Sequence, residues 1–127
     1  MAFNFGKKDK LCSTKLIDEI FSRGKEVKVY PYVLKYLIID EQDGASVKIA
    51  FSVPKKRIRK AVSRNLIRRR MKEAYRLNRA DFMNLVDQHK MHLAVFLIYT
   101  GKENETYQFI EEKIKLILSE IKTKLFV

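Results

Sequence analysis

A chain of 127 residues with 46% hydrophobic side chains is the size of one compact domain and too apolar to be disordered. Its start, MAFNFGKKDK, lacks the apolar region of a signal peptide, and its longest apolar run is too short to span a bilayer. One cysteine, Cys12, excludes an internal disulfide and fits a reducing compartment, and a net charge of +12 favours polyanionic partners. We therefore expect one cytoplasmic domain over residues 1–127, with residues 1–10 as a flexible tail.

The first predicted element is a short helix that begins after Ser13, a residue type that commonly caps helix N-termini. Arg23 in the last turn and Gly24 directly after it are typical of a helix end. Four apolar residues share one face of this helix: Leu16, Ile17, Ile20 and Phe21.

Two strands are predicted next, within residues 27–39, which are rich in Val, Ile and Tyr and interrupted by Pro31. The first strand is expected to be short and to lie at a sheet edge, and a turn is expected at residues 40–44. Pro54 ends a third strand, whose apolar residues follow the two-residue period of a half-buried strand: Val47, Ile49, Phe51 and Val53.

The segment of residues 54–79 holds twelve basic residues and one acid, Glu73, whereas the rest of the chain has fifteen basic and fourteen acidic residues. Nearly all the excess charge therefore lies in one segment, as in nucleic-acid-binding proteins. The segment predicts a helix with an apolar stripe that can pack on the sheet: Ile67, Met71, Ala74 and Tyr75. At about 100° per residue, the opposite side of the helix is polar and almost purely cationic. Its residues are Asn65, Arg69, Lys72, Arg76 and Arg79, and Arg68 lies at its edge.

The last two predicted elements are a strand and a helix. Residues 93–99 form a continuous apolar run, which is typical of a strand covered on both faces and favours a parallel neighbour. An amphipathic closing helix is predicted by apolar residues at helical spacing: Ile110, Ile114, Ile117, Leu118, Ile121 and Leu125. The predicted order is therefore α-β-β-β-α-β-α.

The basic helix has three other interpretations, and the sequence favours none of them. A solvated face without a partner leaves the concentration of charge unexplained. A membrane-surface helix needs bulkier apolar residues than this one has, and its apolar face is required for the core. No helix-turn-helix, zinc-finger or zipper pattern that would favour DNA surrounds the helix.

The stretch FSVPKKRIRKAVSRNLIRRRMKEAYR, residues 51–76, resembles the signature of the protein subunit of bacterial ribonuclease P. That family has a strand ending in Ser-Val-x-Lys-Lys, a short loop, and a helix that begins Ala-Val-x-Arg-Asn-Arg. The stretch EIFSRG, residues 19–24, is similar to the end of the family's first helix. One position departs from the pattern, because Leu66 stands where the family has Arg. We do not expect position 66 to contact RNA, and three neighbours are expected to supply the charge: Arg68, Arg69 and Arg70.

The resemblance implies an α/β fold, a two-layer α+β sandwich like domain 2 of ribosomal protein S5, in which the basic helix makes a left-handed β-α-β crossover. It also implies the function of an endonuclease subunit in tRNA processing. The large RNA subunit, assisted by Mg²⁺, removes the 5′ leader from precursor tRNA. The protein binds ribonuclease P RNA and the leader of precursor tRNA, and lowers the magnesium requirement. No DNA or membrane partner is implied.

The resemblance also assigns residues to two RNA-binding regions. Those expected to face the catalytic RNA surround the strand-to-helix loop and follow the helix: Lys55, Lys56, Arg59, Lys60, Arg64, Asn65, Arg69, Lys72 and Arg76. Those expected to form the leader cleft come from four separate places: Ile17, Phe21, Lys35 and Arg68. The alternative for Ile17 and Phe21 is a place in the core, because they share a helix face with Leu16 and Ile20.

The residues themselves predict a non-catalytic protein with no cofactor or metal of its own. The acids are scattered, and no nucleophile stands beside a base. His89 and His92, expected in a loop before the last strand, lack the additional ligands that a metal site needs. A ribosomal or other RNA-binding protein of similar fold is the main alternative, and a protein enzyme is the alternative from another class.

Overall fold

The fold is taken from a computed structural model that describes residue 11 and residues 13–40 and 46–126. The predictions for residues 1–10, for Cys12 and for residues 41–44 of the expected turn lie outside this description. The described elements are α1 (Thr14–Arg23), β1 (Lys25–Val29), β2 (Tyr32–Ile38), β3 (Val47–Ser52), α2 (Ala61–Asn78), α3 (Ala80–Gln88), β4 (Leu93–Tyr99) and α4 (Tyr107–Phe126). Among the described helices, none combines the length and apolar character needed to cross a membrane.

The four strands form one sheet in the order β1-β2-β4-β3. β1 and β2 are antiparallel, β2 and β4 are antiparallel, and β3 runs parallel to β4. The register places four residues in one row across the sheet: Glu26, Lys35, Phe96 and Ala50. The predicted edge position of β1 and the predicted parallel neighbour of β4 are both confirmed.

β4 is a continuous apolar run because it lies between two strands and is covered on both faces. Val95 and Leu97 belong to the main core, whereas Ala94 belongs to a smaller cluster on the other face. All three side chains are at most 1% exposed. The sequence LAVFLIY therefore reflects burial on both sides of a central strand.

The main core lies between one face of the sheet and the helices α2 and α4. The buried residues of α2 are the four of the predicted stripe: Ile67, Met71, Ala74 and Tyr75. Those of α4 are five of the six predicted: Ile110, Ile114, Ile117, Leu118 and Ile121. Leu125 packs against the core at its edge. The periodicity of both helices is confirmed.

α1 lies over the opposite face of the sheet, where Ile20 packs with Leu11 and Ala94. The predicted cap is confirmed, since the backbone N–H of Leu16 donates to Ser13 Oγ at 3.2 Å. Gly24 follows the helix, and its backbone N–H donates to the carbonyl oxygen of Ile20 at 2.8 Å. A Cβ at this position would lie 2.4 Å from that oxygen, so glycine is required for the turn. The helix thus turns directly into β1.

α3 was not predicted, and the observed order is α-β-β-β-α-α-β-α. Its sequence carries only two buried apolar residues, Phe82 and Val86, and no side chain caps its N-terminus. These signals are too sparse to separate a nine-residue helix from a loop. His89 consequently lies at the end of α3 instead of within a loop.

The prediction that Arg79 lies on the exposed cationic face is wrong. α2 ends at Asn78, and Arg79 is 6% exposed at the junction with α3. Its guanidinium carbon is 5.9 Å from the centroid of the Tyr75 ring. The prediction assumed that α2 continues through Arg79, but the helix ends one residue earlier, so the helical spacing does not apply to Arg79. The handedness of the connection from β3 to β4 stays a prediction.

The two sides of α4 provide a test of the core. Replacing Ile114, which is 1% exposed, by Ala should lower the free energy of unfolding by about 2–5 kcal/mol, because it removes buried methyl groups and leaves a cavity. Replacing Leu116, which is 45% exposed on the same helix, should change it by no more than about 0.5 kcal/mol. Urea denaturation followed by circular dichroism measures both, and equal losses would contradict this assignment of the core.

Candidate nucleic-acid interface

The loop between β3 and α2 is a turn whose cations point outward around one apolar anchor. The backbone N–H groups of Arg57 and Ile58 donate to the carbonyl oxygen of Pro54 at 3.0 and 3.2 Å. Ile58 is 6% exposed and belongs to the main core. Lys55 and Lys56 are exposed in the same turn. Burial of Ile58 therefore fixes a loop that presents its charges to solvent.

Arg64 links this loop to the first turn of α2. Its Nη1 donates to the carbonyl oxygen of Ile58 at 3.0 Å and to that of Arg59 at 2.6 Å. Lys60 precedes the helix without a capping side chain, so these contacts help to hold the loop against the helix start. Arg64 is half-buried, whereas Arg59 and Lys60 are exposed. Arg64 thus has a structural role that the sequence did not predict.

The outer side of α2 carries the predicted polar residues. Asn65, Arg69 and Lys72 are exposed, on the side opposite the buried stripe. We use the term cationic surface for the exposed members of the predicted set: Lys55, Lys56, Arg59, Lys60, Asn65, Arg69 and Lys72.

Arg76 differs from these residues because it is half-buried and paired with an acid. Its Nε and Nη2 donate to the two carboxylate oxygens of Glu73 at 2.9 and 2.7 Å. These hydrogen bonds lower the pKa of Glu73 and raise that of Arg76. Glu73 thus neutralises part of the charge near the end of the helix.

Aromatic and charged residues meet on the sheet face that α1 only partly covers. The Phe21 ring is 51% exposed and packs edge-on against Phe96, with 5.2 Å between the ring centroids. Lys35 Nζ lies 5.4 Å from the centroid of Phe21 and 3.0 Å from a carboxylate oxygen of Glu26. The hydrogen bond from Lys35 is the main cause that lowers the pKa of Glu26.

The exposure of Phe21 contradicts its alternative place in the core, whereas Ile17 is divided between core and surface. Ile17 is half-buried and packs against the cluster of Leu11, Ile20 and Ala94. Neither Phe96 nor Glu26 was predicted to belong to this site. For Phe96 the reason is that the continuous apolar run of β4 does not show which face each residue takes. We call the group of Phe21, Lys35, Phe96 and Glu26 the aromatic row.

Arg68 is not joined to this group by a contact among the described residues. Its Nη1 donates to Asn65 Oδ1 at 3.0 Å, one turn earlier on α2. Leu66 is half-buried beside the cationic surface. The structure thus brings Phe21 and Lys35 together, with Ile17 one turn earlier on α1, and leaves Arg68 on a separate helix.

The two histidines have different surroundings. His89 Nδ1 lies 2.9 Å from the carbonyl oxygen of Leu85, and its ring centroid lies 4.6 Å from that of Phe126. His92 is half-buried in the segment that leads into β4. Within the part of the chain that the structure describes, no group of three or more His, Cys, Asp or Glu residues could hold a metal ion.

Arg64 and Arg69 form a matched pair for mutation. Arg64→Ala should lower the free energy of unfolding by about 1–2 kcal/mol, because it leaves two backbone carbonyl groups without their charged donor. Arg69→Ala removes an exposed side chain and should change stability by less than about 0.5 kcal/mol. Urea denaturation of both variants measures the difference. Equal stability of the two variants would argue against the structural role of Arg64.

Comparison with known proteins gives the same family throughout. A sequence model of the Ribonuclease P family matches residues 5–122. The ribonuclease P protein component of Porphyromonas gingivalis strain ATCC 33277 is 29% identical over 119 residues, which cover 94% of this chain and 87% of that protein. The ribonuclease P protein component of Chlorobium phaeobacteroides is 29% identical over 126 residues, covering 91% of this chain and 86% of that protein.

Solved structures agree on the fold. The RNase P protein of Staphylococcus aureus superimposes with a TM-score of 0.66 at 18% identity, covering 90% of this chain and 95% of that one. The RNase P protein of Thermotoga maritima does so with a TM-score of 0.65 at 19% identity, covering 87% and 96%. The match of the family model to nearly the whole chain shows that the protein belongs to the Ribonuclease P protein family, the protein components of that ribonuclease.

Proposed function

We propose that this chain is the RNA-binding subunit that holds the catalytic RNA of ribonuclease P through its cationic surface. The observation that carries the proposal is the two-sided character of α2. Its inner face is fully buried in the main core, and its outer face displays Asn65, Arg69 and Lys72 to solvent. A helix packed in this way cannot turn its charges inward, so they are available to phosphate groups. Asn65 adds directional hydrogen bonds to the charge contacts of the cations.

The proposed contribution to catalysis is electrostatic. Precursor tRNA and the catalytic RNA are both polyanions, and their approach is opposed by repulsion that bound cations reduce. Magnesium belongs to the RNA subunit in this proposal, and the protein adds fixed positive charge beside it. A subunit of this kind lowers the magnesium concentration that the ribonucleoprotein needs, without supplying a catalytic side chain. The reducing compartment that suits its single thiol is the cytoplasm.

The aromatic row is proposed as the place where the 5′ leader of precursor tRNA binds. Single-stranded RNA binds surfaces that combine an exposed ring for base stacking with nearby cations for phosphate. The half-exposed ring of Phe21 and the ammonium group of Lys35 provide both, 5.4 Å apart. Ile17 extends the apolar side, and Arg68 contributes if its guanidinium group leaves Asn65 for a phosphate.

Reconstitution tests the proposed function directly. Purified chain and the ribonuclease P RNA of the same organism are assayed on precursor tRNA at low and high magnesium. We expect no cleavage by the RNA-free chain, and a stimulation of the RNA that is largest at low magnesium. Cleavage by the RNA-free chain would instead identify a protein enzyme. A failure to bind or stimulate this RNA would favour another RNA-binding function.

The salt dependence of binding tests the cationic surface. Affinity for ribonuclease P RNA should fall steeply with salt, because phosphate contacts release condensed counterions. Arg69→Ala should flatten the slope of log K against log salt by roughly one contact. Lys115→Ala, an exposed cation on α4, serves as the matched control and should leave the slope unchanged. Fluorescence anisotropy at several salt concentrations gives the slopes, and equal slopes for both variants would contradict the contact.

The proposed binding of the 5′ leader is tested by comparing precursor tRNA with mature tRNA. Phe21→Ala and Arg68→Ala should weaken binding of the holoenzyme to precursor tRNA with a leader several nucleotides long, and leave its affinity for mature tRNA nearly unchanged. Loss of one stacked base corresponds to roughly 1–3 kcal/mol for Phe21→Ala. Circular dichroism shows that the variants fold. Equal losses for both tRNAs would mean that the aromatic row does not bind the leader.

A further inference from the structure

A pocket lies away from the aromatic row, at the end of the sheet where the parallel strands β3 and β4 finish. Its volume is about 330 Å³, within the range of small-ligand sites. Three separate segments enclose it, namely the β1–β2 turn, the loop after β3 and the loop after β4. Its lining residues are Tyr30, Arg57, Thr100, Lys102, Glu103 and Glu105. We call it the Tyr30 pocket.

The walls of the Tyr30 pocket are fixed by contacts with the core. The Tyr99 hydroxyl donates to the carbonyl oxygen of Glu103 at 2.6 Å, and Arg70 donates to that of Glu105 at 2.5 Å. A Cβ at Gly101 would lie 2.7 Å from the Tyr99 ring, so only glycine lets the loop pass this closely. On the other side, the N–H of Thr100 donates to the carbonyl oxygen of Pro31 at 2.7 Å. The backbone of the loop after β4 is therefore held in place, both against the core and against the β1–β2 turn.

The charged side chains of the pocket are not paired with one another. Arg57 and Lys102 supply two positive charges, and Glu103 and Glu105 supply two negative ones. The ion pairs of the described residues involve none of these four side chains. Burial, and then the charges of Glu105, Tyr30 and Glu103, raise the pKa of Tyr99 to about 12. The pocket thus holds both signs of charge free for a ligand.

The remaining polar surface of the pocket suits a nucleotide. The Tyr30 ring is 62% exposed and can stack on a base. Cations bind phosphate, and a carboxylate accepts hydrogen bonds from the amino group of a base. Arg57 directly follows Lys55 and Lys56 of the cationic surface and also lines the pocket, so the two regions adjoin.

We propose that the Tyr30 pocket takes one unpaired nucleotide of a bound RNA, with a base that carries an amino group. Tyr30 stacks on the base, Arg57 and Lys102 hold the phosphate, and Glu103 or Glu105 accepts the amino hydrogens. Guanine, cytosine and adenine carry such a group, whereas uracil does not, so uracil binds most weakly. This inference rests on the proposed RNA-binding function, and it adds a preference for the base.

The experiment is an NMR titration of the full chain with the 5′-monophosphates of the four nucleosides. We expect the amide signals of Tyr30, Thr100 and Lys102 to shift most. UMP should bind at least about fivefold more weakly than GMP or CMP, since base contacts of this kind discriminate by about 1 kcal/mol or more. Tyr30→Ala should abolish these shifts, Tyr30→Phe should retain them, and Glu105→Gln should reduce the difference between GMP and UMP.

Short RNAs distinguish a nucleotide within a chain from a free nucleotide. A hexamer of uridine and the same hexamer with one central cytidine are compared by fluorescence anisotropy. Tighter binding of the cytidine hexamer, lost in Tyr30→Ala and kept in Leu116→Ala, supports the proposal. Equal shifts for all four monophosphates, or shifts confined to other residues, overturn it.

These outcomes are separate from those of the reconstitution assay. If the chain stimulates ribonuclease P RNA but the Tyr30 pocket shows no nucleotide shifts, only this inference fails. If the pocket binds nucleotides with the expected preference but the chain does not bind ribonuclease P RNA, the proposed function fails instead.

Discussion

Burial of one face of α2 is the constraint on which the rest of the molecule depends. Ile67 and Met71 are fully buried there, and each contributes roughly 1.5–3 kcal/mol by leaving water. The outer face opposes folding, because like charges one turn apart repel, as in Arg64, Arg68 and Lys72. This repulsion is small, about 0.2–0.5 kcal/mol per pair. Packing therefore outweighs repulsion, and the core holds in place a row of charges that an isolated helix would not favour.

The structure reduces that repulsion further by giving several of the cations local acceptors. Arg64 donates to two backbone carbonyl groups, Arg68 donates to Asn65, and Arg76 binds Glu73. These contacts hold guanidinium groups in defined positions, which would reduce the entropy lost on binding the RNA partner proposed above. The Lys35–Glu26 pair acts similarly on the other side of the sheet. An exposed pair of this kind is weak, so a phosphate group can compete for Lys35.

The sequence predicted burial correctly for elements that bury only one of their two faces. The stripe of α2 and the alternation of β3 each separate an inner face from an outer one, and both were predicted correctly. In β4 the two faces are both apolar, so Phe96 could not be told from Val95. The fold resolves this, because α1 leaves Phe96 partly open and the other face carries the main core.

Features that depend on several distant segments were beyond the sequence pattern. Arg79 was placed outward because the helical phase was extended past the end of α2, which the chain marks with no glycine or proline. The contacts of Arg64 depend on the path of the preceding loop, and the Tyr30 pocket combines segments about seventy residues apart in the chain. A periodic pattern reports local burial, whereas these features arise from tertiary packing.

Leu66 shows how tertiary packing changes an argument made from charge alone. The three arginines that follow it were expected to replace the missing cation, as if they were equivalent. In the structure Arg70 donates to the carbonyl oxygen of Glu105, and Arg68 is hydrogen-bonded to Asn65. Arg69 is the exposed member of the three. Of the three arginines, Arg69 is therefore the one whose side chain is placed to compensate for Leu66. If the cationic surface binds RNA as proposed, the contact that the family pattern places at position 66 moves to the outer face of α2.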